Sequence, residues 1–207
     1  CFVAVSGARF DGHDFIEEAI EKGARVVVHS RSLSVGATAA DCVFLRVENT
    51  TRALQILSSL VREKWSGIVV AVTGSMGKTT TRSFVSTLLR QHYRVRESPG
   101  NLNNNFGVPL SLLGVEERDE IAVVELAMNH PGEIRALSLI CRPDIAVITN
   151  VAPVHLEFFD SIDQIAEAKA EILEGLRERG RLLFNAEDRR LCAIAGNFTG
   201  STMSFGA

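Results

Sequence analysis

Cysteine is scarce in these 207 residues: Cys1, Cys42, Cys141 and Cys192 stand far apart, and none sits beside a histidine at zinc-like spacing. That excludes a disulfide scaffold and leaves reduced thiols as the expectation. Long apolar runs are also missing. The longest, such as residues 68–72 and 145–148, fall far short of the roughly 20 residues a membrane helix needs, so no membrane span is expected. Neither sign of charge dominates, with 22 basic against 25 acidic residues and a net charge of -3. A nucleic-acid surface is therefore not expected. No internal repeat or low-complexity tract occurs. No Met and no signal-like segment precedes Cys1, which runs at once into an apolar stretch, so the expectation is a piece of a longer protein. What the chain does have is apolar residues at 46%, enough for a proper core.

The pattern along the chain predicts two α/β units. Residues 2–5, 25–29 and 43–47 read as strands. Asp14 and Glu17 resemble a capping box opening a helix that Gly23 stops, and Thr50 or Thr51 caps a helix to about residue 65. Residues 1–66 make the first, small unit. The second, 67–207, opens on the β-branched run 68–72, as expected of a strand buried on both faces. A helix at 78–91 follows. Strands then read at 121–126, 145–149, 181–185 and near 202–205, with helices at 132–140 and 161–179. Strands alternating with helices predict a doubly wound, mostly parallel sheet, which binds ligands at the carboxyl ends of its strands.

The segment Thr73-Gly74-Ser75-Met76-Gly77-Lys78-Thr79-Thr80 sits where such a sheet holds phosphate. Glycines let backbone N–H groups turn toward phosphate oxygens, and the following helix N-terminus favours an anion. Lys78 is placed to bridge terminal phosphates and the Thr79 hydroxyl to ligate Mg²⁺. The common pattern wants a glycine where Val72 stands, so the loop is a shorter G-x-x-G-K-T form, which disfavours an ordinary phosphate-loop kinase. The competing reading is a glycine-rich turn with an exposed lysine.

Glu125 ends an otherwise apolar strand, and His155 follows the next one by a short loop. At the same sheet edge as the phosphate loop, they form a candidate metal shell. In the helix from Ser161, Lys169 falls four after Ile165 and three before Ile172, along the buried stripe. A buried lysine must be neutralised, paired or modified, unless it snorkels to solvent; periodicity leaves both open. Asn101 and Asn104 stand in an asparagine run ahead of Gly107-Val108-Pro109, where a helix could begin, and an irregular loop accounts for that run; Asn129 and His130 follow the strand bearing Glu125, and Asn185 ends a later strand. Asp11 and His13 are mostly explained by a turn and a helix cap.

With these residues placed, the chain resembles the Mur ligases, the ATP-dependent amide-forming family of peptidoglycan synthesis. The resemblance rests on TGSMGKTT, GNLNNNFGVP, ELAMNHPGEI and ITNVAPVHLEFFDS…AKAEI, in the right order over roughly residues 67–188, and on FVAVSGARFDGHDFIEEAIEKGA before them. The branch most resembled adds D-alanyl-D-alanine to UDP-N-acetylmuramoyl-tripeptide; Val154 before His155, where most sister enzymes carry Asp, is typical of it. The enzyme adding the third residue and folylpolyglutamate synthetase are the alternatives. The resemblance implies ATP and two Mg²⁺ ions as cofactors. Lys78 and the loop amides of Gly74, Ser75, Met76, Gly77, Thr79 and Thr80 would hold ATP. Thr79 and Glu125 would hold the first Mg²⁺ and His155 the second. Lys169 matches a lysine that several Mur ligases carbamylate, which would turn the buried amine into an anion facing the second metal. Asn185 would contact adenine, and Asn101, Asn104, Asn129 and His130 substrate or phosphate. Residues 1–66 would be part of a uridine-nucleotide domain and 67–207 the ATP-binding domain. A bacterial, cytoplasmic monomer is implied. The family's further C-terminal domain does not follow Ala207, so the expectation is ATP binding without ligation by this chain alone.

Overall fold

The computed structural model describes residues 1–7, 10–33, 41–154 and 157–206. The chain forms two compact units, Cys1–Leu57 and Ser58–Ala207. The sequence pattern put the division between residues 66 and 67; the two compact units divide instead inside a helix, at 57/58.

The first unit is built on β1 (Phe2–Val3), α1 (Ile16–Glu21), β2 (Val26–His29) and β3 (Val43–Arg46), followed by the start of α2 (Thr50–Lys64). Its sheet runs β1-β2-β3, all parallel. Ala4, Ile16, Ile20 and Val27 form its core. Two expected caps are replaced. Asp11, not Asp14, opens the first helical segment: its Oδ1 accepts the His13 N–H at 3.0 Å, and residues Gly12–Phe15 form a 3-10 turn ahead of α1. The tight turn follows from Gly12, where a Cβ would sit 2.7 Å from the Val5 backbone. In α2, Thr50 is already helical, and Asn49 Oδ1 accepts the Arg52 N–H at 2.9 Å.

The second unit takes the last turns of α2, then β4 (Ile68–Thr73), α3 (Lys78–Leu89), β5 (Val95–Glu97), α4 (Gly107–Leu113), β6 (Ile121–Glu125) and α5 (Glu133–Cys141). It continues through β7 (Ile145–Ile148), α6 (Ile162–Ala170), β8 (Arg181–Asn185), α7 (Arg189–Asn197) and β9 (Ser201–Phe205). The sheet order is β5-β6-β4-β7-β8-β9, with every recorded pairing parallel. The doubly wound parallel sheet expected from the sequence is therefore present.

Central β4 is apolar throughout because it is covered on both faces. Val69 and Ala71 pack with residues of α4, α5, α6 and α7; Val70 and Val72 pack with Val85 and Leu89 of α3. The chain leaves β4 toward β5 and β6, then returns past it to β7. The carboxyl end of β4 is thus the point where strand order reverses, the preferred ligand position in such sheets.

The helix expected over 161–179 is shorter. It ends at Ala170 and tightens into a 3-10 turn, Glu171–Gly175. The cause is close approach to α5: a Cβ at Gly175 would lie 2.2 Å from the Ser138 carbonyl, and Ser138 Oγ donates to the Glu171 carbonyl at 3.2 Å. Strand β5 and helix α7 were not anticipated. Among the described residues no helix is long and apolar enough to cross a membrane.

Candidate functional site

The phosphate-loop candidate leaves the end of β4 and enters α3. Gly74 has φ 147° and Gly77 φ 78°, conformations that L side chains rarely adopt. Any Cβ on Gly74 would meet Thr149 Oγ1 at 1.9 Å. The loop is laced to the segment after β7. Ser75 N donates to the Asn150 carbonyl at 3.0 Å, Met76 N to Asn150 Oδ1 at 2.9 Å, and Thr149 Oγ1 to the Met76 carbonyl at 2.7 Å. Ser75 Oγ donates to the Ala152 carbonyl at 3.1 Å and accepts from Ala152 N at 2.8 Å. These bonds hold the loop's shape. Lys78 opens α3 and curls over the loop, its Nζ donating to the Gly74 carbonyl at 2.9 Å. Burial pushes its pKa below the ordinary lysine value, with Glu125 opposing. Thr80 is exposed on the first turn of α3.

Glu125, the last residue of β6, is 2% exposed. Thr79 Oγ1 donates to its Oε2 at 2.8 Å, and Asn103 Nδ2 donates to its Oε1 at 2.9 Å. Arg82 Nη1 lies 3.6 Å from Oε2. The two expected metal ligands are therefore together. Hard oxygens 2.8 Å apart suit neighbouring positions around Mg²⁺, where ligands at about 2.1 Å from the ion sit roughly 3 Å from each other. The donor chemistry and the spacing fit the ion.

Lys169 is 2% exposed, so it lies along the buried stripe of α6 and does not snorkel. Burial first, and the Lys78 ammonium second, push its pKa down to about 8. His155 lies outside the described residues.

The asparagines divide. A cleft of about 180 Å³ is lined by Asn103, Asn104, Asn105, Met128, Asn129 and Glu133, so Asn104 and Asn129 meet beside the residue that reaches Glu125. Asn104 Oδ1 also accepts the Gly107 N–H at 3.0 Å, opening α4. The N–H groups of Asn129 and His130 both reach Glu133 Oε2, at 2.6 and 3.1 Å. The His130 ring packs edge-on against Phe158 instead of lining the cleft, and Asn101 is exposed. Asn185 ends β8, its Oδ1 accepting the Glu187 N–H at 2.9 Å. In the first unit, His13 bridges Asp11 (2.6 Å) and the Ser30 N–H (3.0 Å). The His13 N–H and then its ring hold Asp11 down to about 2.

Sequence reasoning missed Asn103, Arg82, Thr149 and Asn150. The signal for Arg82 was present: it stands four after Lys78 and three after Thr79, on their face of α3. Asn103 was hidden in a run of like residues.

Two family matches tile this chain. The Mur ligase middle domain matches residues 72–207, and the Mur ligase family catalytic domain matches residues 1–72. The UDP-N-acetylmuramoyl-tripeptide--D-alanyl-D-alanine ligase of Bacillus subtilis (strain 168) is 41% identical over 187 residues, covering 90% of this chain and 40% of the relative. That of Escherichia coli (strain K12) is 40% identical, with the same coverage. The crystal structure of MurF from Acinetobacter baumannii matches with a TM-score of 0.88 and 35% identity over 98% of this chain and 44% of that one. MurF ligase from Thermotoga maritima, in complex with ADP, gives 0.86 and 38% over 98% and 46%. The chain thus spans less than half the length of these relatives. The ordered motifs, the parallel sheet and a middle-domain match over more than half of the residues agree: the chain belongs to the Mur ligase family.

Proposed function

We propose that this chain is the nucleotide-binding part of an ATP-dependent ligase that joins D-alanyl-D-alanine to UDP-N-acetylmuramoyl-tripeptide, an ADP-forming step of peptidoglycan precursor synthesis in the bacterial cytoplasm. Residues 67–207 take ATP and 1–66 part of the uridine nucleotide. The observation that carries the reading is the ordered edge at the end of β4: a phosphate-loop shape held by Thr149 and Asn150, with Thr79 and Glu125 paired beside it. The names of the relatives supply the two substrates.

In this reading the tripeptide carboxylate attacks the γ-phosphorus of ATP, giving an acyl phosphate and ADP. The amine of D-alanyl-D-alanine then attacks the acyl carbon and phosphate leaves. Bound Mg²⁺ supplies charge neutralisation on the transferring phosphoryl group. The loop N–H groups orient the phosphates, and Lys78 swings from the Gly74 carbonyl to a terminal phosphate. Thr79 and Glu125 would hold one ion, His155 and Lys169 a second, and Asn185 would contact the adenine. Asn104 and Asn129 face substrate across the polar cleft, with His130 and Asn101 at its margin. Catalysis is positioning and electrostatics, with no covalent enzyme intermediate.

Lys169 enters as a carbamate. Its neutral amine attacks CO₂, forming N–COO⁻ and releasing a proton. A pKa near 8 leaves roughly a tenth of the amine neutral at pH 7, far more than an ordinary lysine offers. The product replaces a cation beside Lys78 with an anion.

The test is ADP release with both substrates, measured on the protein at the full length of its relatives, beside ADP binding by this chain. Turnover that needs D-alanyl-D-alanine, and binding lost in Lys78→Ala, are expected. Turnover with a different amine, or undiminished binding in Lys78→Ala, would remove the reading. Labelled bicarbonate should give a carbamate carbon signal that disappears in Lys169→Met.

A further inference from the structure

Arg82 is 5% exposed, and its guanidinium is tied at several points. Nε donates to Glu97 Oε1 at 3.0 Å and Nη1 to the Gly100 carbonyl at 2.6 Å, while Nη1 stands 3.6 Å from Glu125 Oε2. Glu97 is itself fixed. Ser83 Oγ donates to it at 2.8 Å and Arg90 Nη2 at 3.0 Å. Burial pushes the Glu97 carboxyl up, but the hydrogen bonds from Ser83, Arg90 and Arg82 outweigh it and hold it below its ordinary value. Arg82 is therefore anchored on the side away from the site, not free to reach into it.

We propose that Arg82 is the positioning residue for the Glu125 carboxylate, acting on both of its oxygens. Toward Oε2 it presents a cationic edge just beyond hydrogen-bond range. That leaves the oxygen's lone pairs to Thr79 now and to a divalent cation when one arrives. Toward Oε1 it acts through the chain. Gly100 has φ 54°, and its carbonyl is pinned by Arg82; three residues on, Asn103 donates to Oε1. One guanidinium thus sets the loop that supplies the donor on one oxygen and the field beside the other. Its own charge is offset by Glu97, so the cation position is not left facing an uncompensated positive group. A lysine cannot reproduce this, because a point charge lacks the planar fork that reaches Glu97 and Gly100 together.

The role rests on the nucleotide reading above, and the experiment separates the two. ADP is titrated calorimetrically into this 207-residue chain with and without Mg²⁺, and the factor by which Mg²⁺ tightens binding is the readout. Arg82→Lys and Arg82→Met are expected to cut that factor roughly ten-fold, the usual loss when a residue orienting a metal ligand is changed, while metal-free ADP binding stays within about two-fold. Glu125→Gln is expected to abolish the tightening, and Arg82→Lys placed on Glu125→Gln to add nothing. A full Mg²⁺ effect in Arg82→Lys would overturn the proposal. So would a metal-free affinity that falls as far as the Mg²⁺ one, or losses that add in the double variant. If Arg82→Met does not fold by circular dichroism, Arg82→Lys decides alone. Loss of ADP binding in Lys78→Ala together with an unaltered Arg82→Lys would overturn only Arg82. Unaltered binding in Lys78→Ala would remove the nucleotide reading, and the role of Arg82 with it.

Discussion

At the amino edge of the six-stranded sheet Arg62 is 3% exposed, and its guanidinium meets acceptors at every nitrogen; at the carboxyl edge Lys169 is 2% exposed, and the charge that acts on it is another cation, Lys78. Arg62 donates to the carbonyls of Cys141 (2.8 Å), Arg142 (2.9 Å), Trp65 (3.2 Å) and Gly67 (3.1 Å), and to Asp144 Oδ2 at 2.7 Å. Asp144 in turn accepts the Val69 N–H at 2.8 Å, so the cluster ties α2, the end of α5 and the start of β4. The carboxyl edge has gaps by comparison. Among the described residues, Thr73 Oγ1 and Ser98 Oγ at the ends of β4 and β5 are buried without a hydrogen-bond partner, as are Ser86 Oγ in α3 and Arg96 Nε within β5, and two lysines, Lys78 and Lys169, lie close enough to repel. The amino edge is the more fully hydrogen-bonded of the two.

The sharpest way to break that contrast is to remove a charge from each edge. Arg62→Met strips the donors from four carbonyls and leaves Asp144 with Arg177 as its remaining cation. Breaking a buried pair by removing one partner costs about 3–5 kcal/mol, and urea unfolding should show a loss of that size. A loss under about 1 kcal/mol would mean that the amino edge is not the stabilising one. Lys169→Met should do the reverse and raise stability at pH 7. The wild type should also depend on pH in a way that the variant does not. The folded pKa of Lys169, about 8, lies below its ordinary 10.5. Between those values the unfolded chain holds the extra proton, so stability rises with pH, by at most about 3 kcal/mol. Below pH 8 both states are protonated and the cost of burial is paid in full. The experiment needs buffer free of CO₂ and divalent metal, with thermal midpoints taken from pH 7 to 10.5. A flat wild-type profile, or the same rise in Lys169→Met, would show that the buried amine is already compensated.

Sequence alone revealed this asymmetry unevenly. The strand–loop–helix turn at Gly74–Lys78 was readable because its pattern is local: two glycines, Lys78 and Thr79 straight after an apolar strand. Lys169 was readable because Ile165 and Ile172 fix the buried face of one helix. Glu125 stood out as a charge within an apolar run. The amino edge left no such trace, since Arg62 finds its partners on α5 and ahead of β7, far along the chain, and a lone arginine on a helix signals nothing. Arg82 shares the face of Lys78 and Thr79, and Asn103 stands in a run of asparagines, but what singles both out is a shared carboxylate on β6. Local rules also failed where packing decided between near-equal choices. Asp11 and Asp14 were both possible caps, and the seat of Gly12 against Val5 selects Asp11. The helix from Ser161 was read too long because nothing local shows that Gly175 must lie on Ser138.

The smallest predicted effect lies on α5, the helix that joins the two edges. Arg62 covers its last carbonyls, placing a cation at the negative end of the helix dipole. At its other end, Glu171 accepts the Gly132 N–H at 2.8 Å and the Arg135 N–H at 3.1 Å, placing an anion at the positive end. Both ends are capped from outside the helix, yet by groups in different surroundings. Glu171 faces Arg135, whose side chain is half exposed, whereas Arg62 is itself enclosed. Glu171→Gln keeps one acceptor and loses the charge, so it should cost only about 0.5–1 kcal/mol, and the difference should shrink as salt is raised from 0.05 to about 0.5 M. The Arg62→Met loss should move less over the same range, because most of Arg62's hydrogen bonds go to buried or partly buried carbonyls that salt screens little. The Asn129 and His130 N–H groups are held by Glu133 and not by Glu171, so the polar cleft should keep its shape in Glu171→Gln. Equal salt sensitivity in the two variants would show that the ends of α5 are screened alike, and the contrast between the edges would then rest on Lys169 alone.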